Sequence, residues 1–553
     1  MTSGPTSTLH AQGPRGAGPD ARTPAAGILR IGIGATWTRN AESYDANGTV
    51  RELGARFSLD PLGTTALPLL APIETATRSL AALPDFGASL GASVVHARKS
   101  MESTPLALEY GITPRIAVGV VIPLVTSISR VDLALSPLGA SLGFNPSLTS
   151  EAAADANRQL LSQFAGAATF LNGRLATCAA SPSATGCAAI NTNAEAARAL
   201  VLQSTSFATT LGTLYGGAAG GAGARFVPLA GSAAQAAIDA RIAGFKAQYA
   251  SLGATQIQSS GPVGAGAPLT ASDFQRVLTD SAYGIIANPL GSVVRRGIGD
   301  IALSATWQWH DSWTAVPTTG SLRQQVRWRS AVVGTFRHGT GSAADPADLI
   351  SVPLGDGQND VEILSITDAG LGSRFSFTTL FRYTVQAPSD ATVRFATGGG
   401  DPFPNQSNTV VHSRDPGDEF EIAFFPRVAF SEAISLAASY SFRSRTADNE
   451  VAPVITPAGP GIGGLSASRD VGGEARAHAL GASLAYSTVA SHARGGARWP
   501  LEISLEHFQT TRGSGGNVPK LAHDAVTVRW YWRPFGRGAV PTPPPAVPAR
   551  ARD

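Results

Sequence analysis

The chain has 553 residues, 42 basic and 39 acidic, with a formal net charge of +3. Charged residues are only 15% of it, below the roughly 25% usual in soluble domains, and the mean hydropathy is +0.06. Its 61 glycines and 37 prolines show no Gly-X-Y period, which excludes collagen, and its longest apolar run, Ile116–Val125, is far short of the about 20 residues of a spanning helix.

The first predicted segment, 1–27, reads as a disordered leader. Met1–Ala26 is rich in Gly, Pro, Thr and Ala without an apolar stretch. Leu9-His10-Ala11-Gln12 resembles the end of a signal peptide, and the expectation is a signal that begins upstream of Met1.

From 28 onward the dominant pattern is period two. Leu29, Ile31, Ile33, Ala35 and Trp37 share one face, and Arg30, Gly32, Gly34 and Thr36 the other. Successive side chains of a strand point to opposite faces, so this is a strand with one apolar and one polar side. The pattern predicts strands at 28–38, 50–59, 86–98, 104–112 and 115–134. It resumes at 297–309, 324–338, 359–368, 372–386, 418–426, 432–445, 475–487, 499–511 and 523–533, fourteen in all. Between the two sets, 136–295 reads as a helical insert. Leu160, Phe164, Leu171 and Leu175 fall on one helix face, as do Ile238, Ile242, Phe245 and Tyr249. Ser150 and Ser272 are helix starts by residue type. Cys178 and Cys187, nine positions apart with Pro182 and Gly186 between, read as a local disulfide, which implies an oxidising compartment. The last segment, 536–553, is a Pro-rich tail.

The connections alternate in length. Those near Thr113, Asp368–Gly372, Arg427–Glu432 and His492–Pro500 are short. Those at Asn40–Thr49, Gly339–Asn359, Gln386–Gly417, Thr446–Gly473 and Gly513–His523 are long and polar. Short periplasmic turns and long external loops mark an outer-membrane barrel. Aromatics at strand ends on the apolar face, such as Trp37, Trp307, Trp309, Trp328, Tyr383, Phe442, Trp530 and Trp532, suit interfacial girdles. Arg and Glu in mid-strand suit a wet lumen better than a sandwich core. The fold class is therefore all-β: an antiparallel transmembrane barrel of about fourteen strands, 28–135 and 296–535, with 136–295 as a cap or plug. The expected location is a bacterial outer membrane. The expected partners are its lipid and the barrel-assembly machinery.

Catalytic motifs are weak. Gly87-Ala88-Ser89-Leu90-Gly91 and Gly139-Ala140-Ser141-Leu142-Gly143 match G-x-S-x-G, but neither lies on a strand-to-helix elbow. The histidines, including His96, His310, His338, His412, His478, His492, His507 and His523, show no paired metal spacing. Gly297-Ile298-Gly299-Asp300 precedes a strand rather than following one, unlike a dinucleotide fingerprint. Without a basic run, no nucleic-acid partner is expected, and no enzyme activity, metal or cofactor is implied. The candidate functional residues are the charges on the polar strand faces. They are Arg30, Glu52, Arg56, Glu109, Asp300, Arg327, Arg329, Arg337, Glu362, Arg374, Arg382, Glu419, Glu421, Arg443, Glu502, Glu506 and Arg529. Two readings stay open: opposite charges pair and fill the interior, or they line a path that selects solutes.

Leu108-Glu109-Tyr110-Gly111-Ile112-Thr113-Pro114-Arg115, Gly297-Ile298-Gly299-Asp300-Ile301-Ala302-Leu303 and Leu354-Gly355-Asp356-Gly357-Gln358-Asn359-Asp360-Val361 resemble the meta-pathway phenol degradation family of outer-membrane barrels. That family is similar in outline to long-chain fatty-acid transporter barrels. The resemblance spans 28–135 and 296–535, omits the insert and carries over no binding residue. It implies passive uptake of small hydrophobic or aromatic solutes. The alternative is a surface-anchored binding or adhesion protein whose barrel is only an anchor. The sequence sets neither substrate nor oligomeric state.

Overall fold

Period-two alternation becomes one closed sheet in the computed structural model. It describes residues 20–217, 221, 223–312, 326–371, 374–395, 401–450 and 473–534. The strands are β1 (Leu29–Asn40), β2 (Ala92–Gly111), β3 (Ile116–Ser136), β4 (Val293–Ile298), β5 (Ile301–Asp311), β6 (Val326–His338) and β7 (Asp360–Leu371). They continue as β8 (Phe375–Gln386), β9 (Glu419–Ala429), β10 (Ile434–Arg445), β11 (Ala475–Ser487), β12 (Leu501–Ser514) and β13 (Ala522–Trp532). β1 pairs with both β2 and β13, and every other ladder is antiparallel to its neighbour. β5 pairs with β3 over Ile116–Val121, and β4 takes over at Leu124–Ser129. β4 and β5 thus act as one stave broken at Gly299–Asp300. Among the described residues the ring has twelve staves, an even number that brings Leu29 and Trp532 together at one end.

The fourteen predicted strands reduce to twelve staves at two places. The alternation at 50–59 gives only the short strand Val50–Glu52 and a 3-10 turn, Ala55–Phe57. Its apolar side chains, Phe57 among them, pack into the core of the insert instead. The predicted strands 86–98 and 104–112 are one strand, β2. The polar run Lys99–Ser103 between them stays in register with β3.

The exterior is apolar. Ile33, Leu106, Leu124, Ile298, Leu303, Ile363, Phe377, Phe381, Phe424, Leu436, Leu480 and Leu505 all point outward and are exposed. A closed ring leaves no unpaired sheet edge to face hydrocarbon, and an apolar belt on such a ring is what a bilayer holds. Trp307, Trp309, Trp530 and Trp532 lie exposed at the short-turn end and Trp37 toward the other, as interfacial aromatics do. The chain is an outer-membrane β-barrel, and its short-turn end faces the periplasm.

The helical insert sits at the opposite, extracellular end. β2 and β3 are 20 and 21 residues long. Because Asn40 of β1 pairs with Lys99, β2 runs seven residues, about 23 Å, past the end of β1. The inward faces of that extension, at Val95, Ala97 and Val131, join one apolar core with α1 (Ala71–Ala81), α2 (Glu151–Ala180), α4 (Ala194–Tyr215), α5 (Ala233–Ser251) and α6 (Ala271–Thr279). α3 is the short helix Ala188–Thr192. The predicted apolar faces of α2 and α5 are the buried ones. Ser150 caps α2 by accepting from the Ala153 N–H. α6 starts earlier than predicted, at a capping box between Thr270 and Asp273. Cys178, at the end of α2, is bonded to Cys187, just before α3.

The predicted leader 1–27 is folded where it is described. Residues 20–27 run through the periplasmic end of the lumen. The Gly27 N–H donates to the Gly111 carbonyl. A Cβ on Gly111 would come within 2.3 Å of the Ala25 carbonyl oxygen, so only glycine admits the segment there. Residues 1–19 and the predicted tail from 536 lie outside the described residues.

A ring of this kind keeps its hydrogen bonds in cold detergent. Unheated and boiled samples should therefore differ in mobility on SDS gels, with the unheated form lost on boiling. A single band at the boiled position would contradict a closed barrel.

Candidate functional site

Strand period sends the charged side chains inward, and the register decides which meet. Near the periplasmic end, Arg30 of β1 pairs with Glu109 of β2. On the opposite wall Arg329 of β6 holds Asp368 of β7 at 2.7 Å. Arg529 of β13 lies 3.5 Å from Glu502 of β12, which accepts the Tyr531 hydroxyl at 2.6 Å. Further out, a second group crosses five strands. Arg337 pairs with Asp360 at 2.6 Å and lies 3.6 Å from Glu362. Arg382 sits between Glu362 at 3.5 Å and Glu421 at 2.5 Å, and Glu421 also takes Arg443 at 3.3 Å. Arg529 is 1% exposed and Asp368 2%. Glu109 and Arg443 keep part of their surface exposed, whereas Arg529 and Asp368 are closed to water even from inside the barrel. At such burial a charge persists only when paired.

The N-terminal segment completes the periplasmic group. The Ala21 N–H donates to Asp368 at 2.9 Å, and Gln308 of β5 donates to the Ala21 carbonyl at 3.0 Å. Arg22 pairs with Asp20 at 2.9 Å and lies 3.4 Å from Glu502. Ala21 also covers an apolar strip on the inner wall. That strip comprises Ala331, Val333, Leu364, Ile366, Leu380, Ala423 and Phe425.

Other candidates from the sequence fall as follows. Arg327, Glu419 and Glu506 face inward from β6, β9 and β12, by the parity of their strands. Four do not line the lumen. Glu52 is on an external strand, 3.2 Å from His96. Arg56 lies over the Phe57 ring at 4.9 Å. Arg374 is exposed in the turn between β7 and β8. Asp300 sits at the break between β4 and β5, where it accepts the N–H groups of Gly341 and Asp356 and pins the external loop 339–359. Glu52 and Arg56 lie on a segment that is not a stave, and Arg374 and Asp300 lie just beyond strand ends. Sequence reasoning missed Asp360 and Asp368, whose spacing from Glu362 already put them on the inner face. It also missed Asp20 and Arg22, whose segment carries no periodic signal. The G-x-S-x-G serines are spent on local bonds: Ser141 donates to the Gly87 carbonyl and Ser89 to that of Gly91.

The wall itself has a weak band. Pro105 of β2 lies directly opposite Pro123 of β3, and neither can donate to a ladder. The β1–β2 register is interrupted beside Pro105, between Ile33 and Thr36. The β3 ladder changes partner from β5 to β4 beside Pro123.

The fold and its lumen define an outer-membrane barrel with paired charges on its inner wall and a helical insert. No family model matches the chain, and no curated protein matches it. Solved structures similar to it include an outer-membrane channel of Pseudomonas putida F1 at 8% identity and TM-score 0.40, with 93% of this chain and 98% of that one covered. Two others are the toluene transporter TodX of Pseudomonas putida (11% identity, TM-score 0.25, 94% and 96% covered) and a FadL homologue of Pseudomonas aeruginosa (8%, TM-score 0.24, 92% and 90%).

Two predictions follow from this geometry. Arg382→Gln leaves two lumen carboxylates without their shared cation and should cost about 3 kcal/mol in detergent unfolding. Adding Glu421→Gln to it should recover part of that loss, as a double-mutant cycle would show. The second concerns pH. Burial, and then the neighbouring Asp300 carboxylate, raise the Asp356 carboxyl from 3.8 to about 6. A raised carboxyl stabilises the fold in its protonated form. That contribution is full below pH 3.8 and is lost as pH rises through about 6. Amide exchange of the 339–359 loop, corrected for its intrinsic pH dependence, should therefore slow between pH 7 and pH 5, and Asp356→Asn should abolish the change.

Proposed function

We propose that the barrel carries small hydrophobic solutes, aromatic compounds among them, passively across the outer membrane. The observation that carries this reading is the apolar strip beneath Ala21. A lumen built only to pass ions or sugars has no use for Val333, Leu364, Ile366, Leu380 and Phe425 on its inner wall. Displacement of residues 20–27 uncovers this strip, while the paired charges around it still offer polar solutes no open water column. The proline band at Pro105 and Pro123 supplies a compliant stretch of wall through which an apolar molecule can leave for the bilayer. The toluene transporter among the similar structures accords with this solute class.

The test is uptake of a labelled aromatic hydrocarbon by cells with and without the protein. Uptake should rise several-fold with the wild type and fall back with Ile366→Asn or Leu380→Asn, while uptake of a small sugar stays unchanged. Equal hydrocarbon uptake in all strains would sink the proposal.

A second reading, a surface-anchored binding module, has one observation in its favour: the insert has its own apolar core and its own disulfide. Deleting 140–290 separates the two. A transporter capped by the insert gains permeability, whereas a binding module loses its partner with permeability unchanged.

A further inference from the structure

Many arginines on the strands pair with a carboxylate inside the barrel. Among those that do not, three stand together on neighbouring strands. Arg98 of β2, Arg130 of β3 and Arg296 of β4 point outward, toward the membrane side, and are exposed. None of the three has a hydrogen bond or ion pair among the described residues.

Their heights on the wall are set by the register. The apolar belt of these strands reaches Leu124 opposite Ile298, 56% and 48% exposed. The next outward position holds Arg296, opposite Thr126, which in turn lies opposite Glu102; Glu102 is level with Trp37 of the aromatic girdle. Arg296 therefore sits at the outer edge of the hydrocarbon. Arg98 and Arg130 are four residues further along β2 and β3 than the Glu102–Thr126 rung, about 10 Å outward once a strand tilt near 40° is allowed for. That is the depth of the polar headgroups.

Arg98 lies directly opposite Arg130. Like charges facing each other across a ladder repel, and among the described residues no anion pairs with either of them. The outward carboxylates nearby are Glu102 and Asp132. Asp132 lies opposite His96, which lies 3.2 Å from Glu52. Neither Glu102 nor Asp132 is in ion-pair contact with the three arginines. Between Arg296 and the Arg98–Arg130 pair lies an apolar facet, Ile128 opposite Val294. Three guanidinium forks around an apolar facet at headgroup depth match a phosphorylated headgroup joined to acyl chains, since guanidinium pairs bidentately with phosphate.

We propose that Arg98, Arg130 and Arg296 form a binding site for the phosphate groups of a glycolipid of the outer leaflet. The site is distinct from the lumen and does not depend on what the barrel transports. It holds the repelling pair together and ties the extended β2–β3 hairpin, which carries the helical domain, to the membrane surface.

The test uses the purified full-length barrel in detergent, with diphosphoryl lipid A, its dephosphorylated form and inorganic phosphate as probes, read by native mass spectrometry. Wild-type protein should retain diphosphoryl lipid A at least about ten-fold more than the dephosphorylated lipid. The triple variant R98Q/R130Q/R296Q, confirmed as folded by its heat-modifiable mobility, should retain both lipids at the same low level. Equal retention of the two lipids by the wild type would overturn the proposal, and this arm needs no variant. So would full retention by the folded triple variant. Displacement of the lipid by inorganic phosphate at equal concentration would also overturn it, because the site would then take free anions rather than a lipid.

Discussion

Within the hydrocarbon belt a barrel has only one place for its charges. Hydrocarbon accepts neither an unpaired backbone group nor an unpaired ion. Closing the sheet satisfies the backbone, and strand alternation sends every second side chain inward. Glu109, Asp368, Glu421 and Glu502 therefore share the interior with Arg30, Arg329, Arg382, Arg443 and Arg529. The most buried of them, Asp368 and Arg529, must find partners within the wall. The chain of contacts Glu362–Arg382–Glu421–Arg443 is the clearest expression of that constraint.

The rest of the molecule follows from it. The chain uses the two ends of the barrel differently. Residues 20–27 enter from the periplasmic side and are held by the wall charges Asp368 and Glu502. The helical segment builds its core against the inward faces of the extension of β2 and β3. The external loop 339–359 is fastened to the break between β4 and β5 by Asp300. Salt bridges in the lumen thus do more to specify which parts lie inside than to stabilise the fold, because desolvation offsets much of their attraction.

Much of this was legible in the sequence. Strand identity and the outward face follow from period two, and Leu29–Trp37 shows it without interruption. The misread segments have physical causes. Leu53, Ala55, Phe57 and Leu59 alternate, yet they serve a helical core rather than a sheet. Lys99–Ser103 looks like a break because Met101 is its one apolar side chain, but it lies where β2 leaves the hydrocarbon and needs no apolar face. The partners of each charge were beyond reach. Arg382 meets Glu421 only because β8 and β9 neighbour each other across a long external excursion. Asp20 and Arg22 gave no signal, since a peptide threaded through a lumen has no period to display.

The most direct test of a self-filled lumen is single-channel conductance in planar bilayers, comparing the wild type with a variant lacking residues 1–27. The account predicts little ion current through the wild type and a distinct rise in the variant, where the periplasmic charges lose their covering segment. A large, steady current through the wild type, unchanged by the deletion, would mean an open aqueous pore and would contradict it.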